Sequence, residues 1–132
     1  MRRLKLLGAV AIILSVAAVV CTVVMVRAQG TNSTTIVVTI TPSATEGGTP
    51  SVDKSSVTLS KGQNQQVEWT CEGGCDFTVD FSHSAGSPFS QNSFSGTKAN
   101  PHATSGPPNK VGTFKYSVTA NGGTLDPQII VH

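Results

Sequence analysis

The sequence predicts an all-β domain, and three observations support this prediction. Thr, Ser and Gly are abundant, and no long helical pattern appears after residue 28. Turn residues separate short apolar segments, as is typical of sandwiches and barrels. Several segments alternate apolar and polar residues with the period of two expected of half-buried strands. In 113–119, for example, Phe114, Tyr116 and Val118 occupy one face and polar residues the other.

Residues 1–28 are predicted to be a signal peptide or a membrane anchor that forms an N-terminal hydrophobic helix. A basic start precedes an uncharged apolar run over residues 6–26. A possible cleavage site follows Ala28, but the run is also long enough to cross a bilayer. Both alternatives export the rest of the chain, which is then secreted, periplasmic or at the cell surface. Membrane contact is expected only through residues 6–26, if they are retained.

Residues 29–34 are predicted to be a polar tether, and residues 35–132 the folded domain. Asn32 begins a glycosylation sequon, which matters only in a host that modifies exported proteins in this way. From residue 29 onward there are five lysines, seven acidic residues and no arginine, which gives a net charge of −2. This charge argues against nucleic-acid binding, which needs clustered cations. The sequence contains no Gly-x-Ser-x-Gly, His-Glu-x-x-His or phosphate-binding glycine loop. We therefore expect no catalytic residues, no cofactor and no enzymatic activity.

The strands of the domain can be placed in order along the chain. The first is nearly continuously apolar, which suggests that both of its faces are covered. The strand over 65–71 places Val67, Trp69 and Cys71 on one face, and Trp69 is the expected centre of the core. The predicted strand segments are 35–40, 52–59, 65–71, 76–82, 113–119 and 127–131.

Cys71 and Cys75 are the only cysteines after the export segment. An oxidising compartment favours a disulfide between them, which would be worth about 2 kcal/mol through loop closure. The alternatives are a metal site or a redox-active pair. A structural zinc site usually needs four ligands, however, and a redox pair is usually Cys-x-x-Cys.

Residues 83–110 are predicted to be a long loop, pinned to the domain by Phe89 and Phe94. Residues 102–108 are expected to be mobile. Because long loops without regular structure usually carry function or are flexible, this region is the first candidate for a binding surface. His83 and His102 lie within it and are candidate ligands for a metal.

The domain resembles the cupredoxins, the family of plastocyanin and azurin, over about residues 35–132. The resemblance depends on the strand order together with Lys61-Gly62, Trp69, the 77–81 strand, Pro88-Phe89 and the 112–131 hairpin. It implies a Greek-key β-sandwich. In copper-binding members the hairpin loop carries a Cys, a His and usually a Met. Here the expected loop, Ala120–Asp126, contains none of them.

The alignment with the copper-binding members also assigns positions to two of their ligands. Ser117 falls near the ligand Cys, and His83 near the upstream His. A type 1 copper site needs two His ligands and a thiolate, so the resemblance implies a sandwich without copper.

The sequence therefore predicts an exported, non-catalytic domain with a structural role or a role in binding an unknown protein or surface ligand. Two alternatives remain open. One is a metal-binding or redox module that uses His83, His102 or the cysteine pair. The other is an immunoglobulin-like adhesin or filament subunit, in which an edge strand such as 35–40 adds to a neighbour's sheet.

Overall fold

The computed structural model describes residues 33–132, and its regular elements in that range are all β-strands. No helix in this range is long and apolar enough to cross a membrane. The predicted export segment and the Asn32 sequon lie outside the described residues. The all-β class is thus confirmed for residues 33–132. The strands are β1 Thr34–Thr41, β2 Ser51–Val52, β3 Ser56–Leu59, β4 Gln65–Cys71, β5 Phe77–Asp80, β6 Ser93–Gly96, β7 His102–Thr104, β8 Gly112–Lys115, β9 Ser117–Ala120, β10 Gly123–Leu125 and β11 Gln128–Val131.

One sheet has the strand order β2-β1-β4-β7. Strands β1 and β4 are parallel along their full length, with Ile36 opposite Val67 and Val38 opposite Trp69. This register places the apolar residues of both strands on the same face, which is buried. Strands β2 and β7 pair antiparallel with β1 and β4 and are only two and three residues long.

The other strands form two ladders, with orders β3-β11-β8 and β10-β9-β5-β6. One long hairpin runs through both sets of strands. Its first half consists of β8 and β9, which are interrupted only at Tyr116, and its second half consists of β10 and β11. Strand β9 pairs with β10, and β8 pairs with β11. Gln128 lies opposite Lys115 and Leu125 opposite Val118, so the register is unbroken across the interruption. The Tyr116 N–H donates to Pro127 O at 3.0 Å and bridges the gap.

The core is centred on Trp69, as the sequence predicts. Its side chain is fully buried, and its ring lies 5.2–6.3 Å from those of Phe81, Phe89, Phe94 and Tyr116. Burying an indole contributes about 4–6 kcal/mol at the usual coefficient for apolar area. Around these rings pack aliphatic side chains from both sets of strands: Val38, Ile40, Val57, Leu59, Val67, Val79, Val118, Ile129 and Val131.

Residues 83–110 contain more regular structure than the sequence predicts. Strand β6 pairs with β5, and β7 pairs with β4. The expectation that 102–108 is mobile is contradicted at its start. The side chain of Ser105 is buried, and its hydroxyl accepts the Val67 N–H at 2.9 Å. The predicted pinning role of Phe89 and Phe94 is confirmed, since both rings are buried against Trp69.

Strand β1 is covered on one face only, although its apolar sequence suggests cover on both. Val38 and Ile40 are fully buried, whereas the side chain of Val37 is 40% exposed. Because β1 belongs to an outer sheet with a single core-facing side, the alternate residues of the strand point to solvent.

Candidate functional site

A polar cluster lies on the outer face where β5, β9 and β10 meet. Ser117 is the first residue of β9 and lies directly opposite Asp80 of β5. Since Val118 pairs with Leu125 in the hairpin, the next pair outward joins Ser117 to Asp126. His83 follows β5 by three residues and reaches the same point.

Three side chains are in contact in this cluster. Ser117 Oγ donates to Asp126 Oδ1 at 2.8 Å, and His83 Nε2 lies 3.0 Å from Ser117 Oγ. Because the serine proton is directed to the carboxylate, Oγ accepts its second hydrogen bond from Nε2–H of the imidazole. His83 Nε2 and Asp126 Oδ1 are 3.8 Å apart, and both side chains are partly exposed.

This Ser-His-Asp group differs from a nucleophilic triad. In a triad the serine gives its proton to Nε2 of histidine, while the carboxylate binds Nδ1. Here the serine hydroxyl donates its hydrogen bond to the carboxylate. Ser117 Oγ and Asp126 Oδ1 both lie near Nε2 of His83, and neither of these contacts involves Nδ1. The geometry therefore does not activate Ser117 as a nucleophile.

The donor set of the cluster also does not fit a type 1 copper site. Such a site needs a thiolate and two imidazoles, whereas the cluster offers one imidazole, one hydroxyl and one carboxylate. Within residues 33–132, no group of three or more His, Cys, Asp or Glu side chains is arranged to hold a metal ion. The structure does bring His83 and Ser117 together, at the two positions that the resemblance assigns to ligands.

His102 lies in a different environment from His83. It is the first residue of β7, and its Nδ1 is 3.6 Å from Glu68 Oε1 on the neighbouring strand β4. His83, by contrast, contacts Ser117 and Asp126 beside β9. The two candidate ligands therefore have separate polar partners on different sheets.

The predicted loop Ala120–Asp126 is mostly strand in the structure. Asn121 and Gly122 alone form the turn, with φ angles of +50° and +79°, and Ala120 pairs with Gly123. Two successive positive φ angles are the signature of a type I′ turn, which Asn-Gly favours. This hairpin holds no loop that could carry ligands.

The segment between β1 and β2 packs on the tip of the hairpin. The Gly47 N–H donates to Asn121 O at 2.8 Å, and Asn121 Nδ2 donates to Ser43 O at 2.9 Å. Gly123 lies directly against the backbone of Gly48, where a Cβ would collide. The turn is thus fixed from outside as well as by its own sequence.

The two cysteines form a disulfide, as predicted. Cys71 ends β4, and its Cα lies 5.7 Å from that of Cys75. Cys75 also borders a shallow, open groove of about 310 Å³. The groove carries one charge of each sign, from Asp76 and Lys98. Within residues 33–132, no buried side-chain nitrogen or oxygen lacks a hydrogen-bond partner, so no such atom calls for a ligand here.

No family model matches the chain, and no curated protein matches it. The solved structures that it resembles include several mutants of a protein named amicyanin. A reduced Cu(I) form of an amicyanin mutant at pH 4 matches with 12% identity and a TM-score of 0.46, over 80% of this chain and 88% of that one. A Cu(I) form of a second mutant matches with 15% identity and a TM-score of 0.46, over 74% and 82%. An oxidised mutant matches with 14% identity and a TM-score of 0.44, over 80% and 88%.

The described residues form the all-β arrangement that the sequence predicts. At TM-scores below 0.5 the likeness to these structures supports no conclusion about this chain, and the Cu(I) named for two of them belongs to amicyanin. Sequence reasoning found His83 and Ser117 but missed Asp126. The sequence feature that could have located Asp126 is the Asn121-Gly122 dipeptide. A two-residue turn at that point places Asp126 opposite Ser117.

Proposed function

We propose that this chain is an exported, non-catalytic, cupredoxin-like domain that serves a structural or partner-binding role without copper. The observation that carries this proposal is the hydrogen bond that the Ser117 hydroxyl donates to the Asp126 carboxylate. Ser117 occupies the position that the resemblance assigns to the copper thiolate. A neutral hydroxyl cannot supply the thiolate on which type 1 copper chemistry depends.

Two further features support export and a binding or structural role. The Cys71–Cys75 disulfide suits an oxidising compartment. The basic and apolar start of the sequence is typical of an export segment. The fixed two-residue turn at Asn121 also leaves the hairpin without a loop that could hold a ligand set. A partner would instead meet strand edges and sheet faces.

Copper titration followed by native mass spectrometry and visible absorption tests this proposal. We expect wild-type protein to show neither stoichiometric copper nor a thiolate-to-copper charge-transfer band. Ser117→Cys is the positive control, because it places a thiolate beside His83 Nε2, and copper bound there should give a thiolate-to-copper band. Stoichiometric copper with a charge-transfer band in the wild type would overturn the proposal.

A metal-binding module is the second candidate, and one distance favours it. His83 Nε2 and Asp126 Oδ1 are 3.8 Å apart, within about 0.5 Å of the ~3.4 Å that separates two ligands of one tetrahedral zinc ion. Zinc titration of wild type, His83→Ala and His102→Ala separates the candidates. Binding that is lost in His83→Ala and kept in His102→Ala would favour a metal site, whereas equal weak binding in all three would exclude it.

A further inference from the structure

Strand β1 has one edge that is paired and one that is only partly paired. The Thr34 N–H donates to Asn64 O, and Ile40 O accepts the Glu72 N–H, so the even-numbered residues bond towards β4. Alternation along a strand turns the odd-numbered residues to the opposite edge. That edge is covered by β2 only at Ile40 and Thr41.

Two charged residues after β2 occupy the next part of this edge. The Asp53 N–H donates to Thr39 O at 3.1 Å, and Asp53 Oδ1 accepts the Thr39 N–H at 2.8 Å. Lys54 Nζ donates to Val37 O at 2.7 Å and to Asp53 Oδ2 at 2.7 Å. We call this pair of side chains the Asp53–Lys54 clasp.

The clasp uses side chains where a neighbouring strand would use its backbone. Asp53 begins as a continuation of β2 but meets the Thr39 N–H with its carboxylate, so the ladder ends there. Lysine at a strand edge is a common device against unwanted strand pairing. Beyond the clasp, the backbone of Thr35 and the Val37 N–H face the open edge of β1. The side chain of Val37 is itself exposed.

We propose that this edge of β1 is a self-association surface that the Asp53–Lys54 clasp keeps closed. The occupant is β1 of a second copy, antiparallel, with Thr35 of each chain opposite Val37 of the other. This register centres the two-fold axis on Ile36, so the same backbone groups serve both chains, as an isologous contact requires. Each chain must then offer Val37 O, the acceptor that Lys54 Nζ occupies.

The test compares the assembly of full-length variants in one mild detergent by sedimentation over a range of concentrations. In Asp53→Ala/Lys54→Ala, which opens the clasp, we expect the association constant to rise by about tenfold or more. Glu46→Ala/Lys61→Ala is the matched control, because it removes the same charges from exposed positions outside β1 and the clasp. This control should behave as the wild type does.

A third variant identifies the surface. Adding Val37→Pro to the open-clasp variant removes an N–H that faces the free edge, so it should abolish the new association while leaving the β4 ladder intact. Association that survives Val37→Pro, or an open-clasp variant that matches the charge control, would overturn the proposal. If circular dichroism finds the double variant unfolded, Lys54→Ala alone, which frees Val37 O, decides by the same criteria.

Discussion

Tyr116→Phe removes the one hydroxyl placed inside the aromatic core. The side chain of Tyr116 is fully buried, and its hydroxyl accepts the Trp69 Nε1–H at 3.4 Å. The ring stacks on Phe81 at a centroid distance of 5.0 Å, a contact that phenylalanine keeps. We therefore expect a cost of about 0.5–1.5 kcal/mol near neutral pH, because the indole N–H loses a long and thus weak hydrogen bond.

The stronger consequence concerns stability at alkaline pH. Burial raises the pKa of Tyr116 from 10.0 to about 12, outweighing the hydrogen bond from Trp69, which lowers it. A raised pKa in the folded state means that the unfolded phenol ionises first. The contribution to stability is thus complete below about pH 10 and is lost as the pH rises towards 12. The loss amounts to about 1.4 kcal/mol by pH 11, the worth of one pKa unit.

Urea unfolding with the disulfide intact, followed by circular dichroism at about pH 8 and pH 11, measures this difference. Tyr116 is the only tyrosine in the chain, so Tyr116→Phe contains no titrating phenol. All other ionisable groups are common to the two proteins, so their effect cancels in the comparison. The wild type should lose about 1.4 kcal/mol more than the variant between the two pH values. An equal loss in both proteins would refute the assignment of the alkaline transition to Tyr116.

Three further predictions follow from the packing. Cys71→Ser/Cys75→Ser should lower the free energy of unfolding by about 2 kcal/mol, as measured in urea, because the unfolded chain regains the entropy of the closed loop; an unchanged midpoint would contradict this. Gly123→Ala should cost about 1–3 kcal/mol, since its Cβ would meet the backbone of the β1–β2 connection. The neighbouring exposed Thr124→Ala, as control, should stay within about 0.5 kcal/mol of the wild type in thermal unfolding. Trp69→Ala should cost about 3–5 kcal/mol by the same measurement, and a smaller loss than that of Gly123→Ala would argue against its central place in the core.

The strands that sequence patterns predicted best are those with large side chains in strict alternation. Val67 and Trp69 in β4, and Phe77 and Val79 in β5, are buried as the period of two requires. Strand β7 was missed because it holds only three residues, of which Ala103 alone is apolar, and it lies among Gly and Pro residues. Its position depends on pairing with β4, a contact between distant parts of the chain that local pattern does not contain.

The candidate site was predictable in part for a similar reason. His83 and Ser117 were located by resemblance to ligand positions, and the structure places their side chains in contact. Asp126 belongs to the same cluster only because the hairpin turns at Asn121-Gly122. Treating Ala120–Asp126 as one loop left the pairing of its residues undefined, since the residue count of a turn fixes which side chains face each other.

The position of β11 between β3 and β8 has a consequence for the order in which the domain assembles. Ser56 and Gln128, 72 positions apart, pair in parallel, so this contact closes a long stretch of chain and is expected to form late and slowly. Until Gln128–Val131 is in place, β3 and β8 both lack their neighbour and expose unpaired backbone. A nascent or truncated chain that stops short of residue 128 is therefore prone to aggregate. A nascent chain avoids aggregation only if β11 is synthesised and pairs with β3 and β8 soon enough.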